Sequence, residues 1–372
     1  MVRTAGQCAT PYLHANGSWI YSQLSRLRRY RPVVLTQEDA NLDQFPVSHL
    51  HTARNYPWWK RGGNQLWIKM TGEYPFYGEL LRREGASLIH AHFGYQGCRC
   101  LRARRESGLP MLTTFYGADA TQYAAIPYWR KFYRRLFADG EVFLVEGSAL
   151  AACLEEAGCP PAKIRLHHLG VNLDNIPFAE REPAERLRVL ICAPFREKKG
   201  IPDALQALGR AHRRQPFEFE VVLIGEGPER PRIEAAIGEA GLEGKARLLG
   251  ALPYAQVVAE LGRCHLLLQT SRRAADGDTE GGAPVILLDA QAAGLPVVAT
   301  RHADIPEYVR EGESGLLAAE GDVEGIAGCI LQLVEAPQRW GAMGRAGRAH
   351  VEAHYNAATQ AGRLEGIYDE YS

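Results

Sequence analysis

The sequence predicts an α/β protein with two Rossmann-like domains, each built on a doubly wound parallel sheet. The chain has 372 residues, enough for two or three domains of ordinary size. Short β-branched apolar runs alternate with helical patterns along most of it, which is typical of βαβ units. Hydrophobic residues make up 46% and charged residues 23%, so disordered, collagen-like and coiled-coil classes are excluded.

The alternation is strongest in the second half of the chain. Apolar runs rich in Val, Ile and Leu are separated there by segments with helical periodicity, at about 201–213 and 229–240. Because the runs are apolar on both faces, we expect a parallel sheet covered by helices on both sides. In chain order, the predicted strands lie at 187–193, 221–227, 246–250, 265–270 and 296–300.

The first half shows the same alternation less distinctly. Its predicted strands lie at 32–36, 86–94, 110–117, 141–147 and 164–170. Residues 177–186, PFAEREPAER, are rich in proline and charge, so we interpret them as a linker between an N-terminal domain, 1–176, and a C-terminal domain, 187–345. Residues 346–372 are predicted to form helices that pack back across the linker. Since ligands bind at the carboxyl ends of parallel strands, the two domains are expected to face a shared cleft.

The chain has no net charge, but its charge is unevenly distributed. Lys and Arg number 43, as do Asp and Glu, so the overall charge indicates no nucleic-acid partner. Residues 1–150 carry a net charge of +8, so the first half is expected to meet anionic partners. Eight cysteines without a CxxC pair predict a reduced, cytoplasmic protein. No stretch is apolar enough to span a membrane, so we expect any membrane contact to be peripheral.

Residues 276–300, DGDTEGGAPVILLDAQAAGLPVVAT, carry the most informative motif. The segment passes from a strand through two glycines into a helix predicted to begin at Pro284. The amides of Gly282 and Ala283, together with the positive end of the helix dipole, would suit a diphosphate. Gly281 and Gly282 let a ligand approach the backbone closely.

Two acidic residues flank this turn. Glu280 precedes it, and Asp289 lies one to two turns into the helix. A carboxylate on each side of an anion-binding helix start suits a sugar joined to a nucleoside diphosphate, with one acid for the sugar hydroxyls and one for the ribose. The alternative is a solvated loop acid and an aspartate on the helix surface, since Gly-rich turns before helices are common.

The segment resembles the paired-acid motif of retaining GT-B glycosyltransferases of the family 4 type, and within them the colanic-acid and exopolysaccharide transferases. Further matches follow in order along most of residues 85–355. They are HAHFG (90–94), TTFYGAD (113–119), LGVN (169–172), FREKKG (195–200), VLIGEGPER (222–230), GALPYAQVVAEL (250–261) and HADIPEYVREGESGLL (302–317). The resemblance implies a GT-B fold, with two Rossmann-like domains facing a central cleft, and a role in polysaccharide or glycoconjugate biosynthesis.

Carried over position by position, the resemblance also implies the donor site. Glu280 would contact the donor sugar, Asp289 the ribose hydroxyls and Lys199 the diphosphate, for which a compact ammonium is suited. A solvated lysine at a helix start is the alternative for Lys199. The turn at Gly225 and Gly227 would lie near the base and ribose, or would only be a tight turn. The other implied donor-binding residues are Arg196, Gly281, Gly282, Ala283 and Pro284.

Four positions depart from the family pattern. Pro194 stands where the family usually has an arginine, and Arg196 follows two positions later. The second acid, Asp289, is shorter than glutamate and is separated from the first by one residue more than usual. Tyr116 replaces the usual histidine, and the Gly-Gly pair near the first strand is missing. Because of these departures, a second interpretation stays open, in which the chain is a degenerate GT-B protein that acts as a binding partner and does not catalyse transfer.

The first domain is expected to bind the acceptor. Tyr116, at a strand end, would contact a sugar or would cap the sheet. Asp119 would orient an acceptor hydroxyl or cap the next helix. His90 and His92 share one strand face, and without a third ligand in view they are expected to form hydrogen bonds rather than bind metal. Glu307 would lie beside the sugar pocket or would cap a helix. The acceptor-side residues are therefore His92, Gly94, Tyr116 and Asp119.

The implied mechanism uses a nucleotide-sugar as substrate and needs no metal or other cofactor. The acceptor hydroxyl approaches the face from which the nucleoside diphosphate leaves, and the leaving phosphate takes the proton. Catalysis would rest on Glu280, Lys199 and Tyr116, through positioning and charge stabilisation. The expected partners are a UDP- or GDP-linked donor and a glycan or lipid-linked acceptor. A nucleotide-sugar epimerase with the same fold is the alternative enzyme.

Two segments of the first half raise the question of membrane contact. Residues 129–137, WRKFYRRLF, form one apolar and one basic helical stripe. Such a helix would bind an anionic membrane at its inner face, or would cover the sheet with a solvated basic face. Trp58 and Trp59, followed by Lys60 and Arg61, suit an exposed membrane or glycan contact or a buried aromatic cluster.

Overall fold

The structure is a computed structural model that describes residues 2–13 and 17–372. These divide into two compact units. The first unit comprises the chain up to Gly170 together with Ala357–Ser372, and the second comprises Val171–Asn356. Residues 177–186, predicted as a linker, lie within the second unit, where the buried Arg181 donates to the carbonyls of Leu261 and Ala293 at 2.9 and 3.1 Å.

The described residues of the first unit form a seven-stranded parallel sheet. Its strands are β1 (Arg3–Cys8), β2 (Tyr30–Thr36), β3 (Leu50–Thr52), β4 (Leu88–His92), β5 (Met111–Thr114), β6 (Val142–Val145) and β7 (Ile164–Leu166). They lie in the order β3-β2-β1-β4-β5-β6-β7. The order reverses between β1 and β4, which is where a doubly wound sheet opens a crevice at its carboxyl edge.

Helices cover this sheet on both faces because its strands are apolar on both. Ile89 and Phe143 face one buried cluster, while Leu88 and Leu144 face another. In α6, Pro127 occupies the first turn, and Tyr133 is among the residues that pack into the core. The helices in this part of the chain are α1 (Ser18–Leu24), α2 (Trp58–Thr71), α3 (Tyr77–Arg83), α4 (Gly94–Ser107), α5 (Gln122–Ala125), α6 (Pro127–Asp139) and α7 (Ser148–Glu156).

The second unit holds a parallel sheet of six strands. They are β8 (Leu187–Cys192), β9 (Phe219–Ile224), β10 (Ala246–Leu248), β11 (Leu266–Gln269), β12 (Val297–Thr300) and β13 (Gly315–Ala318). The order is β10-β9-β8-β11-β12-β13, so the reversal falls between β8 and β11. Both units therefore have a topological switch point at the carboxyl ends of two central strands.

The helices of the second unit also lie on both faces of its sheet. Val189 and Val221 pack with Leu208 of one helix, whereas Leu190 and Val222 pack with Leu287 of another. The helices are α8 (Ile201–Arg214), α9 (Arg230–Ala240), α10 (Tyr254–Arg263), α11 (Ile286–Ala293), α12 (Ile305–Tyr308), α13 (Val323–Glu335) and α14 (Trp340–His354). None of the helices in the described ranges is long and apolar enough to cross a membrane.

The last helix, α15 (Ala357–Tyr371), belongs to the first unit. Its Leu364 and Tyr368 are fully buried, and Glu365 accepts hydrogen bonds from the backbone N–H groups of Arg28 and Arg29, both at 2.6 Å. The residues predicted as one set of terminal helices, 346–372, are thus divided between the end of α14 and α15.

The predicted fold class is confirmed. Each predicted strand overlaps an observed one, whereas β1, β3 and β13 were not predicted. The sequence of β1, RTAGQC, lacks large apolar residues, yet five of its six residues are buried. Its position at the centre of the sheet follows from pairing with β2 and β4 and not from its own hydrophobicity.

Candidate active site

Two loops meet at the switch point of the second sheet. One follows β8 and leads through a short turn, Glu197–Lys199, into α8, and the other connects β11 to α11. Gly200 has a φ of +59°, and a Cβ at this position would lie only 2.0 Å from the carbonyl oxygen of Thr270. The loops approach so closely here that only glycine fits.

Lys199 and Glu280 form an ion pair between these loops. The Lys199 Nζ lies 2.7 Å from both carboxylate oxygens of Glu280, and the Ser271 hydroxyl donates to Oε1 at 2.6 Å. The Lys199 side chain is 11% exposed and that of Glu280 is 7% exposed. Burial raises the pKa of Glu280, but Lys199 and Ser271 outweigh burial, so this pKa lies below its ordinary value. Glu280 is therefore a carboxylate at neutral pH, and Lys199 is not a solvated lysine.

Residues from neighbouring strands hold Glu280 in place. Gln269 donates to the Ser271 hydroxyl at 2.8 Å. The backbone N–H of Glu280 donates to His302 Nε2 at 3.2 Å, so the ring proton lies on Nδ1, which donates to Glu320 at 2.8 Å. Sequence reasoning missed Ser271 and His302, although His302 begins one of the matched segments.

Lys198 contacts different groups from those that Lys199 contacts. Its Nζ donates to the Asp278 carboxylate at 3.1 Å and to the carbonyl of Thr279 at 3.0 Å. Lys198 thus fastens the loop that carries Glu280, while Lys199 contacts Glu280 itself. Pro194 and Arg196, earlier in the β8 loop, are exposed.

The glycine turn precedes α11 by a few residues. Gly281 has a φ of +77°, and Gly281, Gly282 and Ala283 are all buried. The helix begins at Ile286 and not at the predicted Pro284, because residues 284 and 285 form a turn in which the Pro284 carbonyl accepts from Leu287 at 3.0 Å. Gly282 and Ala283, whose amides were predicted at the helix N-terminus, therefore lie before the first turn of α11.

Asp289 lies inside the second unit. It is 4% exposed and accepts a hydrogen bond from the Tyr254 hydroxyl at 3.0 Å. Burial raises the pKa of Asp289 to about 7. The structure thereby excludes the alternative in which Asp289 lies on the helix surface. Tyr254, the first residue of α10, was not singled out in the sequence because its partner lies 35 positions away.

Gly225 and Gly227 follow β9 and pack against the β8 loop. Their φ angles are +149° and +156°, and added Cβ atoms would lie 1.9 Å from the Ala193 carbonyl oxygen and 2.4 Å from that of Phe195. These close approaches account for both glycines without a ligand. The interpretation as a tight turn is thus sufficient for them.

In the first unit, Tyr116 and His92 begin a chain of buried hydrogen bonds. The Tyr116 hydroxyl and His92 Nδ1 are 2.7 Å apart, and His92 Nε2 is 3.0 Å from the amide oxygen of Gln7. Because that oxygen only accepts, Nε2 carries the ring proton and Nδ1 accepts from Tyr116. The Tyr116 oxygen then acts as an acceptor toward other groups, one of which is the Thr114 hydroxyl.

The same chain continues to the other histidine. The Gln7 amide donates to the Tyr368 hydroxyl at 3.1 Å, and this hydroxyl lies 2.6 Å from His90 Nδ1. His90 Nε2 lies 2.7 Å from the Thr114 hydroxyl. Burial lowers the pKa of His92 to about 3 and that of His90 well below its ordinary value, so both rings are neutral. Over the described part of the chain, no group of three or more His, Cys, Asp or Glu side chains is placed to hold a metal ion.

Asp119 binds backbone amides. Its carboxylate accepts from the N–H of Gly94 at 2.8 Å and from those of Tyr116 and Gly117 at 3.0 Å. These bonds tie the start of α4 to the turn after β5. Burial raises the pKa of Asp119 despite these amides. Glu307 lies in the first turn of the short helix α12.

Two family models match the chain. The model described as "Glycosyl transferases group 1" matches residues 173–350, and the one described as "Glycosyltransferase Family 4" matches residues 20–175. Together they cover most of both units.

Two curated relatives are about one third identical to the chain over the aligned residues. The amylovoran biosynthesis glycosyltransferase AmsK of Erwinia amylovora is 34% identical over 274 residues, which is 73% of this chain and 67% of that protein. The putative colanic acid biosynthesis glycosyltransferase WcaL of Escherichia coli is 33% identical over 254 residues, 67% of this chain and 62% of that protein. The matches thus span about two thirds of the length of these relatives.

Solved structures show the same fold at low sequence identity. The Anabaena protein Alr3699/HepE, crystallised with UDP and glucose, is 16% identical with a TM-score of 0.79, and the match covers 99% of this chain and 100% of that one. Sucrose-phosphate synthase from Thermosynechococcus elongatus is 16% identical with a TM-score of 0.76, over 99% and 98% of the two chains.

Proposed function

Because the chain belongs to the glycosyl transferases group 1 family, we propose that it transfers a sugar from a nucleotide-sugar donor to a hydroxyl of a glycan or lipid-linked acceptor, in exopolysaccharide biosynthesis. The observation that carries the proposal is the buried Lys199–Glu280 pair beside the glycine turn. In this proposal Lys199 and the amides of the glycine turn bind the diphosphate, and Glu280 accepts from the sugar hydroxyls, at the switch point of a doubly wound sheet.

The second unit binds the donor in this proposal. Lys199 neutralises the diphosphate together with the amides of residues 281–283. Glu280, ionised and fixed by Ser271, accepts hydrogen bonds from the hydroxyls of the donor sugar. The donor is UDP- or GDP-linked. The complex of the similar Anabaena protein with UDP and glucose supports a uridine nucleotide.

Asp289 and Tyr254 bind the ribose. In its ionised form Asp289 accepts from ribose hydroxyls, while the Tyr254 hydroxyl already holds one of its oxygens. The pKa of about 7 makes the ionised fraction depend on pH near neutrality. Donor affinity should therefore rise with pH through this range.

The first unit binds the acceptor. The Tyr116 hydroxyl donates to His92, so its oxygen accepts a hydrogen bond from an incoming hydroxyl and orients it. Transfer proceeds with retention: the acceptor oxygen bonds to the anomeric carbon on the face from which the phosphate leaves, and the leaving phosphate takes the proton. Positioning and stabilisation of the diphosphate charge supply the catalysis. We place the protein in the cytoplasm, at the inner face of the membrane.

The substitution Glu280→Ala tests this function. We expect transfer from the donor to fall by about 10²-fold or more, because the sugar loses its hydroxyl acceptor beside the reacting carbon. Turnover and the anomeric configuration of the product would be measured with radiolabelled and NMR assays. Glu313→Ala, at an exposed ion pair with Arg310, is the matched control and should leave turnover unchanged. An unchanged rate in Glu280→Ala would remove Glu280 from the mechanism.

A further inference from the structure

Helix α2 turns an apolar stripe away from the protein. Trp59, Leu66 and Met70 follow the spacing i, i+7 and i+11, which places them on one helical face. They are 63%, 60% and 75% exposed, and Trp58 at the helix start is 78% exposed. Single exposed apolar residues are ordinary, but a stripe of this length on one helix marks an interaction surface.

The inward face of α2 is polar. Asn64 is the buried residue of this helix, and it donates to the side-chain oxygen of Gln37, whose amide donates to the Tyr77 hydroxyl at 3.1 Å. A surface helix normally buries its apolar face and exposes its polar one. Ile68 packs against the core, but Trp58, Trp59, Leu66 and Met70 are exposed, so these four apolar residues are not needed for the core.

The surroundings of the stripe are basic. Residues 44–72 contain no Asp or Glu but include Arg54, Lys60, Arg61 and Lys69. Arg61 and Lys69 are exposed on α2 itself.

Helix α6 extends this basic surface. A Cβ built on Gly72, just after α2, would lie 3.4 Å from the Phe132 ring of α6. The four basic residues of α6 are exposed, and Tyr128 beside them is 60% exposed. Since Tyr133, Leu136 and Phe137 are buried, the apolar stripe predicted for α6 packs on the sheet, and its basic stripe faces solvent.

We propose that the α2 surface, formed by Trp58, Trp59, Leu66 and Met70 with Arg61 and Lys69, docks on an anionic phospholipid bilayer. Tryptophan and basic side chains suit the headgroup region, where lysine and arginine attract anionic lipids. A second copy of the chain fits less well, because a symmetric contact would bring the same basic flanks together. This inference specifies how the protein would contact the membrane. It rests on the proposed function only for the reason to dock, which is access to a lipid-linked acceptor.

Vesicle sedimentation of the full chain tests the proposal. We expect binding to vesicles of phosphatidylglycerol and phosphatidylethanolamine, weak binding to pure phosphatidylcholine, and release as salt screens the basic residues. The triple variant Trp59→Ser, Leu66→Ser, Met70→Ser should bind anionic vesicles at least about tenfold more weakly. Arg61→Glu with Lys69→Glu should have a similar effect through charge alone.

A matched control replaces exposed apolar residues elsewhere in the same unit. Val2→Ser with Leu166→Ser, at positions 63% and 54% exposed, should bind vesicles like the parent protein. Equal vesicle binding by the triple variant and the parent would overturn the proposal. So would a dimer in sedimentation velocity that the triple variant converts to monomer, since a second copy would then be the occupant. The vesicle assay contains no nucleotide-sugar, so its result does not depend on transfer activity. Transfer would be measured in a separate assay with a water-soluble acceptor, where a failure of the proposed function would be seen.

Discussion

Asp289 shows how one residue of the site depends on its environment. Its carboxyl group is buried beside the Tyr254 hydroxyl, and burial raises its pKa to about 7. Transfer of a charged carboxylate from water is unfavourable, so the protonated form is favoured in the folded protein. A shift in this direction makes the free energy of unfolding depend on pH.

The substitution Asp289→Asn is expected to remove this pH dependence. The folded-state pKa of about 7 exceeds the unfolded value of about 3.9, so between them the folded chain holds a proton that the unfolded chain has released. The parent protein therefore loses stability as pH rises through this window. The free energy of unfolding of Asp289→Asn, measured in urea, should increase relative to that of the parent by about 2–3 kcal/mol between about pH 5 and about pH 8. If the difference between the two proteins stayed constant over this pH range, a buried, protonated Asp289 would be contradicted.

At the scale of elements, the site depends on two loops whose backbones meet at Gly200 and whose side chains are joined by Lys198 and Lys199. Gly200 combines a positive φ with a 2.0 Å approach to the Thr270 carbonyl oxygen. The loops it joins carry Lys199 and Ser271, both partners of Glu280. Stability and donor binding should therefore change together when this contact is disturbed.

The substitution Gly200→Ala tests this coupling. Steric clash and backbone strain together should lower the free energy of unfolding by about 3 kcal/mol and abolish nucleotide binding. Gly321→Ala is the matched control in the same unit, since Gly321 also has a positive φ, +72°, but a Cβ there would meet nothing within 4 Å. That variant should lose only about 1 kcal/mol and bind nucleotide normally. If both variants lost the same stability and the same nucleotide binding, backbone strain alone, and not the contact between the loops, would explain the losses.

Helix α15 is the second element with a defined task, because Tyr368 completes the hydrogen-bond chain of the first unit. Tyr368→Phe removes the partner of the Gln7 side-chain N–H and of His90 Nδ1, although Gln7 keeps His92 and His90 keeps Thr114, so the free energy of unfolding should fall by about 1–2 kcal/mol. Tyr371→Phe is the control, since its hydroxyl has no hydrogen-bond partner among the residues described. Thermal unfolding would be compared with nucleotide titration, which should be unchanged in both variants. Weaker nucleotide binding in Tyr368→Phe would contradict a role confined to the first unit.

At the scale of the molecule, hydrophobic periodicity was sufficient to predict two parallel sheets, because most of their strands are apolar on both faces. Strand β1 was missed because Gly6 and Gln7 are not strand-forming residues. Gln7 is nevertheless fully buried, since it joins the chain between Tyr368 and His92. Pairing and polar contacts of this kind arise only in the folded protein.

The site was predicted in part. The matched motifs indicated the family, which is confirmed, and singled out Lys199 and Glu280. Ser271, His302 and Tyr254 were missed because they reach the site from strand and helix ends that are distant in sequence or carry no motif of their own. The exposure of α2 was also left open, since the sequence around Trp58 suited a buried cluster equally well.

The central claim is that the second unit binds a nucleotide-sugar at Lys199 and Glu280. Calorimetric titration of the protein with UDP, GDP, ADP and TDP, each alone and then as a sugar conjugate, tests it most directly. We predict selective binding of one nucleotide, weakened at least about tenfold by Lys199→Ala, because a charge-assisted contact to the diphosphate is lost. Lys245→Ala, a surface lysine before β10, should bind like the parent. Binding of none of these nucleotides, or equal binding by Lys199→Ala and the parent, would contradict the claim.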